Sequence, residues 1–313
     1  MQKTLRLLAG LTLSLSVLLV SCKKEDKDDN SSQDEITTHN EDQTMISTSM
    51  DDVANDVGLA LESSVTFSGK PMDGQDVQDI IGVCNASVTI DSASNPRTIT
   101  ITYTGNNCIG NYKRAGAIVL SMPAGFRWKN AGAALTVTYQ NLIITRLSDN
   151  KRVKLNGSET ITNVTGGLLL NLSNMGTITH TLTSANMSIG FPDSTSRTWQ
   201  IARQRTFTFN QGINLSISGL HSENGITGIT EWGTNRFGHA FTTAITSPLV
   251  FKQSCAGRLT AGEIKHQGFG TATVKFGLNA SGGPTSCPGT GSYYFKLSWT
   301  GPGGNTYSSI HSY

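Results

Sequence analysis

The feature that most constrains the fold of this chain is a period-two alternation of polar and apolar residues that recurs through its C-terminal 250 or so positions. It is clearest in RTITITYTG (97–105), ALTVTYQNLIITR (134–146), RTFTFNQGINLSISG (205–219) and TATVKFG (271–277). Successive side chains of an extended strand point to opposite faces, so this alternation indicates strands with one buried face. Thr, Ile and Val also favour strands because branching at Cβ suits a pleated surface.

Turn signals such as SNP, TGNN, LSDNK, HSENG and GGP separate these stretches at short intervals. The pattern begins near residue 63, and the remaining length suits one large β domain or two tightly joined halves. We therefore predict an all-β, antiparallel β-sandwich of two disulfide-bridged halves, about 63–165 and 166–313.

A different periodicity precedes the strands. Apolar residues at steps of three and four would line one face of a helix, and they are Met45, Ile46, Met50, Val53, Val57, Ala60 and Leu61. This spacing predicts one amphipathic helix over 43–62. Residues 22–42 are acidic and nearly free of apolar side chains, so too little apolar surface is available to offset the entropy of ordering. We predict a disordered tether there.

The N-terminus has the pattern of a secretory signal. Lys3 and Arg6 precede a mostly apolar run, residues 7–20, which is shorter than the roughly 20 residues of a membrane-spanning helix. The tetrapeptide Leu19-Val20-Ser21-Cys22 resembles the bacterial lipobox, in which the cysteine is lipidated and becomes the new N-terminus. We predict a signal peptide over 1–21 and a protein that is anchored to a membrane through Cys22 without spanning it.

Four cysteines follow the anchor: Cys84, Cys108, Cys255 and Cys287. An even number in an exported protein indicates disulfides, and four cysteines allow three pairings. Each half has the same order of cysteine, alternating strand, cysteine and glycine-bearing loop, so we predict Cys84–Cys108 and Cys255–Cys287. Free thiols remain an alternative, and a zinc site is the rival use, although the Cys-x-x-Cys spacing is missing.

Several segments together resemble a known group of proteins. CKKED, which begins at Cys22, is similar to the surface-export signal of Bacteroidota lipoproteins, with a periplasm-facing spacer as the alternative. The segments TITITYTGNNC, GAIVLS and SPLVFKQSC (247–255), placed after a lipobox, acidic tether and helix, resemble uncharacterised Bacteroidota outer-membrane lipoproteins. The resemblance implies an outer-membrane location facing the cell exterior and a similar fold, but no reaction. The chain departs from that group at GGPTSCPGTG, which lacks an acidic pair.

Charge divides the chain into two regions of opposite sign. Residues 23–62 hold twelve acidic residues and three lysines, and residues 63–313 hold ten acidic residues and nineteen Lys and Arg. A basic body attracts polyanions, although scattered solvated charge is the alternative. Because Lys and Arg are not clustered, we expect no nucleic-acid partner.

Motifs for catalysis are missing from the sequence. It contains no Gly-x-Ser-x-Gly elbow, P-loop or His-Glu-x-x-His, and its six histidines are isolated from one another. We therefore predict no catalytic residues, no metal and no cofactor. Glu223 and Glu231 could form a glycosidase pair, but two acids beside a hairpin are more often solvated.

The segment EWGTNRFGHAF (231–241) offers the best candidate for ligand binding. Trp232, Arg236 and His239 could stack on a sugar and pair with an anion, although a hairpin with inward-facing aromatics explains the same residues. Two triplets, Asp91-Ser92-Ala93 and Asp193-Ser194-Thr195, resemble the Bacteroidota O-glycosylation acceptor, which makes Ser92 and Ser194 candidate modification sites.

These observations favour a lipid-anchored envelope protein with a non-catalytic binding or structural role. The expected partners are the membrane and either a glycan or another envelope protein. Two alternatives remain: a carrier that holds an apolar ligand in a curved sheet, and a glycan-active hydrolase. An apolar cavity would favour the carrier, and converging carboxylates would favour the hydrolase.

Overall fold

The computed structural model describes residues 30–69, 83–255, 257–268, 270–285, 292–300 and 304–313. Its helices are α1 (Asn30–Ser63), the single turns α2 (Val65–Ser68) and α3 (Leu172–Met175), and 3₁₀ turns at Leu169–Asn171 and Gln253–Cys255. The described strands are β1 (Ala86–Asp91), β2 (Arg97–Tyr103), β3 (Tyr112–Met122), β4 (Ala133–Arg146), β5 (Arg152–Asn163), β6 (Thr177–Gly190), β7 (Ser196–Phe209), β8 (Ile213–Gly219), β9 (His221–Glu223), β10 (Ile226–Thr234), β11 (Ala240–Lys252), β12 (Arg258–Gln267), β13 (Thr271–Leu278), β14 (Tyr294–Thr300) and β15 (Thr306–Ser312).

The alternation read from the sequence corresponds to strands with one buried face. In β2, for example, Ile99, Ile101 and Tyr103 are buried while the threonines between them are less so. All the strand pairs described are antiparallel, and most of them join strands that are consecutive in the chain. The predicted all-β, antiparallel class is therefore confirmed.

The strands form one continuous sheet, and α1 covers its buried face in the place of a second sheet. The order is β1 to β7, then β10 to β15, with β8 and β10 end to end between β7 and β11. The expected boundary at 165/166 falls between β5 and β6, which pair directly along their length. The two predicted halves are thus parts of one sheet.

A series of β-bulges gives this sheet its bends. Bulges interrupt the β3–β4, β4–β5, β5–β6 and β6–β7 pairings. Gly157, at the β5–β6 bulge, has a φ of 116°, and a Cβ there would lie 2.6 Å from the carbonyl oxygen of Asn186. Bulges increase twist and bend the strands that carry them, so neighbouring bulges allow the sheet to curve around α1.

The main core lies between α1 and the sheet. It combines helix residues with residues of β2 to β7 and with Phe241 of β11. All seven apolar positions that predicted the helix are buried: Met45, Ile46, Met50, Val53, Val57, Ala60 and Leu61. The amphipathic helix is confirmed, and its burial on the sheet accounts for most of its stability, because isolated helices are marginal in water.

The helix is longer than predicted, and the predicted disorder is wrong for residues 30–42. α1 begins at Asn30 rather than near residue 43, so these residues are helical. Glu35, His39 and Asp42 are buried. Glu35 and Asp42 contact polar side chains of the β10–β11 turn, and His39 contacts His266 of β12. Hydrogen bonds and ion pairs hold this segment on the rest of the fold. Apolar content alone does not reveal such contacts. Residues 22–29 lie outside the described residues.

One predicted disulfide is present. Cys84, just before β1, and Cys108, in the loop between β2 and β3, are bonded with their Cα atoms 5.2 Å apart. Cys255 is also disulfide-bonded. Its predicted partner, Cys287, lies outside the described residues, so that pairing stays a prediction.

Candidate functional site

The turn between β10 and β11 carries two of the three predicted ligand-binding residues and contacts the N-terminal half of α1. The side-chain oxygen of Asn235 accepts hydrogen bonds from the backbone N–H groups of Phe237 and His239, at 3.0 and 2.9 Å. This Asx-type arrangement fixes the turn. Glu35 of α1 then accepts from the Asn235 side chain at 2.7 Å and lies 2.6 Å from Nδ1 of His239.

Arg236 binds carboxylates of its own chain. Its Nε and Nη2 donate to the two oxygens of Asp42 at 2.8 and 2.6 Å, and its Nη1 lies 3.2 Å from Asp193. The guanidinium also stacks 3.6 Å from the ring centre of Phe191. A bidentate pair of this kind is among the strongest charge-assisted contacts. Burial nevertheless raises the pKa of Asp42, against the opposing effect of Arg236.

Trp232 has an aromatic partner within the sheet. Its ring stacks on that of His221, with centroids 4.1 Å apart and 15° between the planes. The structure therefore brings Arg236 and His239 together beneath α1 and gives Trp232 a separate contact. The three residues predicted to form one ligand-binding surface each have an intramolecular partner.

A cavity of about 320 Å³ lies beside Arg236, between α1, the start of β5 and the β6–β7 turn. Lys151, Arg152 and Arg236 line it together with one carboxylate, Asp42. The other lining residues are Thr38, Met45, Asn150, Val153, Phe191 and Pro192. Lys151 also pairs with Glu41 of α1. The sequence did not identify Lys151 or Arg152, because nothing local to residues 150–153 indicates that they face Arg236.

The two glutamates considered for hydrolysis are in different environments. Glu231 is buried, pairs with Arg203, and accepts hydrogen bonds from Gln43 and from Nε1 of Trp199, the latter at 3.3 Å. Glu223 lies at the exposed end of β9 with His221 at 3.6 Å. Glu231 therefore joins α1 to the sheet, and this arrangement does not favour an acid–base pair.

Two histidines that are far apart in the sequence meet beneath α1. Nε2 of His39 lies 3.2 Å from Nε2 of His266 in β12, and Nδ1 of His266 lies 2.9 Å from the hydroxyl of Thr243. Burial is the main reason that the pKa of His39 falls to about 2 and that of His266 to about 4. Both rings are therefore neutral at pH 7. Their sequence positions, 227 residues apart, give no local signal of this contact.

Both candidate glycosylation sites lie on exposed turns. Ser92 follows β1, and Ser194 lies between β6 and β7 with a φ of 67°. The Asp193 carboxylate beside Ser194 accepts from the hydroxyl of Thr195 at 2.6 Å and also binds Arg236. Modification of either serine stays a prediction.

Within the described ranges, no three His, Cys, Asp or Glu side chains are arranged around one metal position. None of the described helices is long and apolar enough to cross a membrane. Comparison with protein-family models, with characterised proteins and with solved structures gives no match.

Proposed function

We propose that this chain is a lipid-anchored protein of the outer membrane, attached through Cys22 and facing the cell exterior, whose folded part binds a ligand and does not catalyse a reaction. The lipobox and the lysine- and acid-rich residues after Cys22 support the location. Two or three acyl chains on one cysteine would hold the protein at a membrane, since each buried CH₂ contributes about 0.8 kcal/mol.

The cavity of about 320 Å³ is the observation that carries the binding role. Its volume lies near the lower limit of ligand pockets, which span roughly 300 to 1,000 Å³. Three cationic side chains and one carboxylate line it. Lys151 and Arg236 already pair with carboxylates of this chain, so the positive charge that would attract a ligand with negative charge comes from Arg152. Asn150 and Thr38 add polar groups, and Pro192 adds apolar surface. This combination suits an acidic sugar.

The packing on the buried face of the sheet favours this role over that of a carrier for an apolar ligand. The helix occupies the buried face, and Ile46, Val53 and Ala60 are fully buried there. An apolar ligand bound in the same place would have to displace α1 and its ion pairs.

Cys22→Ala tests the anchor. We expect the variant to lose acyl-chain labelling and to move from the membrane fraction to the soluble fraction, because the lipid would be its only hold on the bilayer. Radiolabelled palmitate and ultracentrifugation measure both effects. A variant that stays membrane-bound with its signal peptide removed would contradict the lipoprotein assignment.

Arg152→Ala tests the cavity. Arg152 is the informative position because Lys151 and Arg236 also pair with carboxylates of α1. We expect acidic glycans to bind about tenfold more weakly, since one charge-assisted hydrogen bond is worth roughly 1.5–3 kcal/mol at most. A glycan array followed by calorimetry at two salt concentrations measures the change.

Lys154→Ala is the matched control, because Lys154 lies on the same strand, is also exposed and does not line the cavity. Its affinity for acidic glycans should equal that of the wild type. Equal weakening by both substitutions would assign the effect to overall charge, and a wild type that binds no acidic glycan would remove the proposed ligand.

A further inference from the structure

The contact between His39 and His266 has two possible chemical explanations. Two neutral imidazoles with their Nε2 atoms 3.2 Å apart can share one proton in an N–H···N hydrogen bond. Alternatively, both nitrogens can direct lone pairs at one metal ion. The relative placement of the rings shows how well each arrangement fits.

The N–N distance fits a shared ion. With each nitrogen about 2.05 Å from zinc, a separation of 3.2 Å corresponds to an N–metal–N angle of about 100°, close to tetrahedral. Two rings that ligate one ion at that angle have centroids about 5 Å apart, which is the observed separation of 5.0 Å. A linear N–H···N bond of the same length would place the centroids further apart, at about 5.5 Å, so a hydrogen bond between these rings has to be strongly bent.

The surroundings supply the other features of a metal site. The hydroxyl of Thr243 lies 2.9 Å from Nδ1 of His266, so this nitrogen can donate to it and leave Nε2 free as a ligand. Both histidines line a cavity of about 40 Å³ that also contains Glu35, one helical turn before His39. A cavity of this volume can hold water molecules, each of which needs roughly 10–15 Å³.

We propose that His39 and His266 bind one divalent transition-metal ion of the zinc or copper type, which joins α1 to β12. Imidazole nitrogen is a preferred ligand of both metals. In the described part of the chain, no third side chain shares this ion, so water from the cavity completes its coordination. The negative charge of Glu35 at the cavity wall favours binding of a cation, whereas the positive charge of buried Arg197 disfavours it. With two protein ligands, we expect micromolar affinity.

Titration of the detergent-purified full chain with Zn²⁺ and Cu²⁺ tests the site. We expect binding of one ion per chain, a rise in the thermal unfolding midpoint, and a Cu²⁺ electron paramagnetic resonance spectrum with coupling to two nitrogens. His39→Gln and His266→Gln should each weaken binding at least tenfold. Thr243→Val, which keeps both ligands, should weaken it less.

His180→Gln is the matched control, because His180 is also buried but packs between the rings of Trp128 and Phe207. It should bind the metal as the wild type does. The wild-type spectrum can be measured whether or not the variants fold. Fewer than two coupled nitrogens in that spectrum would overturn the proposal. Equal binding by the wild type and the His39→Gln/His266→Gln double variant would show adventitious binding by surface groups and would also overturn it.

Discussion

Arg114→Met should lower the free energy of unfolding by about 3–5 kcal/mol, because it leaves the carboxylate of Asp56 buried without its cation. Arg114 of β3 donates to Asp56 of α1 at 2.6 Å, and only 2 % and 7 % of the two side chains are exposed. The hydroxyl of Tyr103 donates to the same carboxylate at 3.0 Å, and the guanidinium lies 4.3 Å from the Tyr103 ring centre. Urea denaturation followed by circular dichroism measures the loss.

Two further variants distinguish the effect of leaving one buried charge unpaired from the effect of losing the whole ion pair. Burial outweighs Arg114 and raises the pKa of Asp56, as expected where a carboxylate is removed from water. Arg114→Met combined with Asp56→Leu should therefore recover most of the stability, since apolar replacements of buried pairs are often neutral. Arg146→Met, which breaks the exposed pair with Asp149, should cost less than about 1 kcal/mol. Equal losses from Arg114→Met and Arg146→Met would contradict the account.

The strands could be predicted because their signal is local. Alternation within β2, β4, β7 and β13 depends only on neighbouring residues, and the repeated order around the cysteines was sufficient to pair Cys84 with Cys108. The continuity of the sheet could not be predicted, because it depends on where β8 and β10 meet β7 and β11. Bulges interrupt the β10–β11 and β11–β12 pairings, and bulges leave little trace in the alternation.

The start of α1 was missed for a different reason. Residues 30–42 contain few apolar side chains, but Glu35 and Asp42 bind partners about 200 residues later in the chain. A signal for this docking was present in the charge distribution. An acidic segment followed by a basic body favours intramolecular ion pairs such as Asp42–Arg236.

The same long-range contacts explain what was missed at the site. Binding of a ligand anion by Arg236 stays a prediction, because the carboxylates that Arg236 contacts in the structure belong to this chain. His39 and His266 are isolated in the sequence and meet only because α1 lies across the sheet at β11 and β12. A sequence motif detects residues at fixed spacing within one element. His39 and His266 lie on two distant elements, so no motif indicates that they meet.

Lowering the pH from 7 to 5 should reduce the free energy of unfolding by several kcal/mol in metal-free buffer. Burial lowers the pKa of His39 to about 2, and those of His180 and His266 to about 4, from 6.5. Below pH 6.5 the unfolded chain takes up protons that the folded chain does not, so stability is complete above 6.5 and is lost as the pH falls toward the folded values. Each group contributes up to about 1.4 kcal/mol per pH unit in this window.

His180→Phe assigns part of this acid sensitivity to one residue, because His180 lies between the rings of Trp128 and Phe207, where a phenyl ring can pack. The variant should lose about a third of the pH dependence between pH 7 and 5 and be more stable than the wild type at pH 5, since it has no proton to exclude. Asp42 and Asp56 oppose the trend at the acid end, because burial raises the pKa of each carboxyl group and the folded chain then binds the extra protons. Urea midpoints at pH 7, 6 and 5 with a chelator present measure the slope. A wild type with equal midpoints at pH 7 and 5 would show that these histidines become charged within the fold, and the neutral His39–His266 contact would then be wrong.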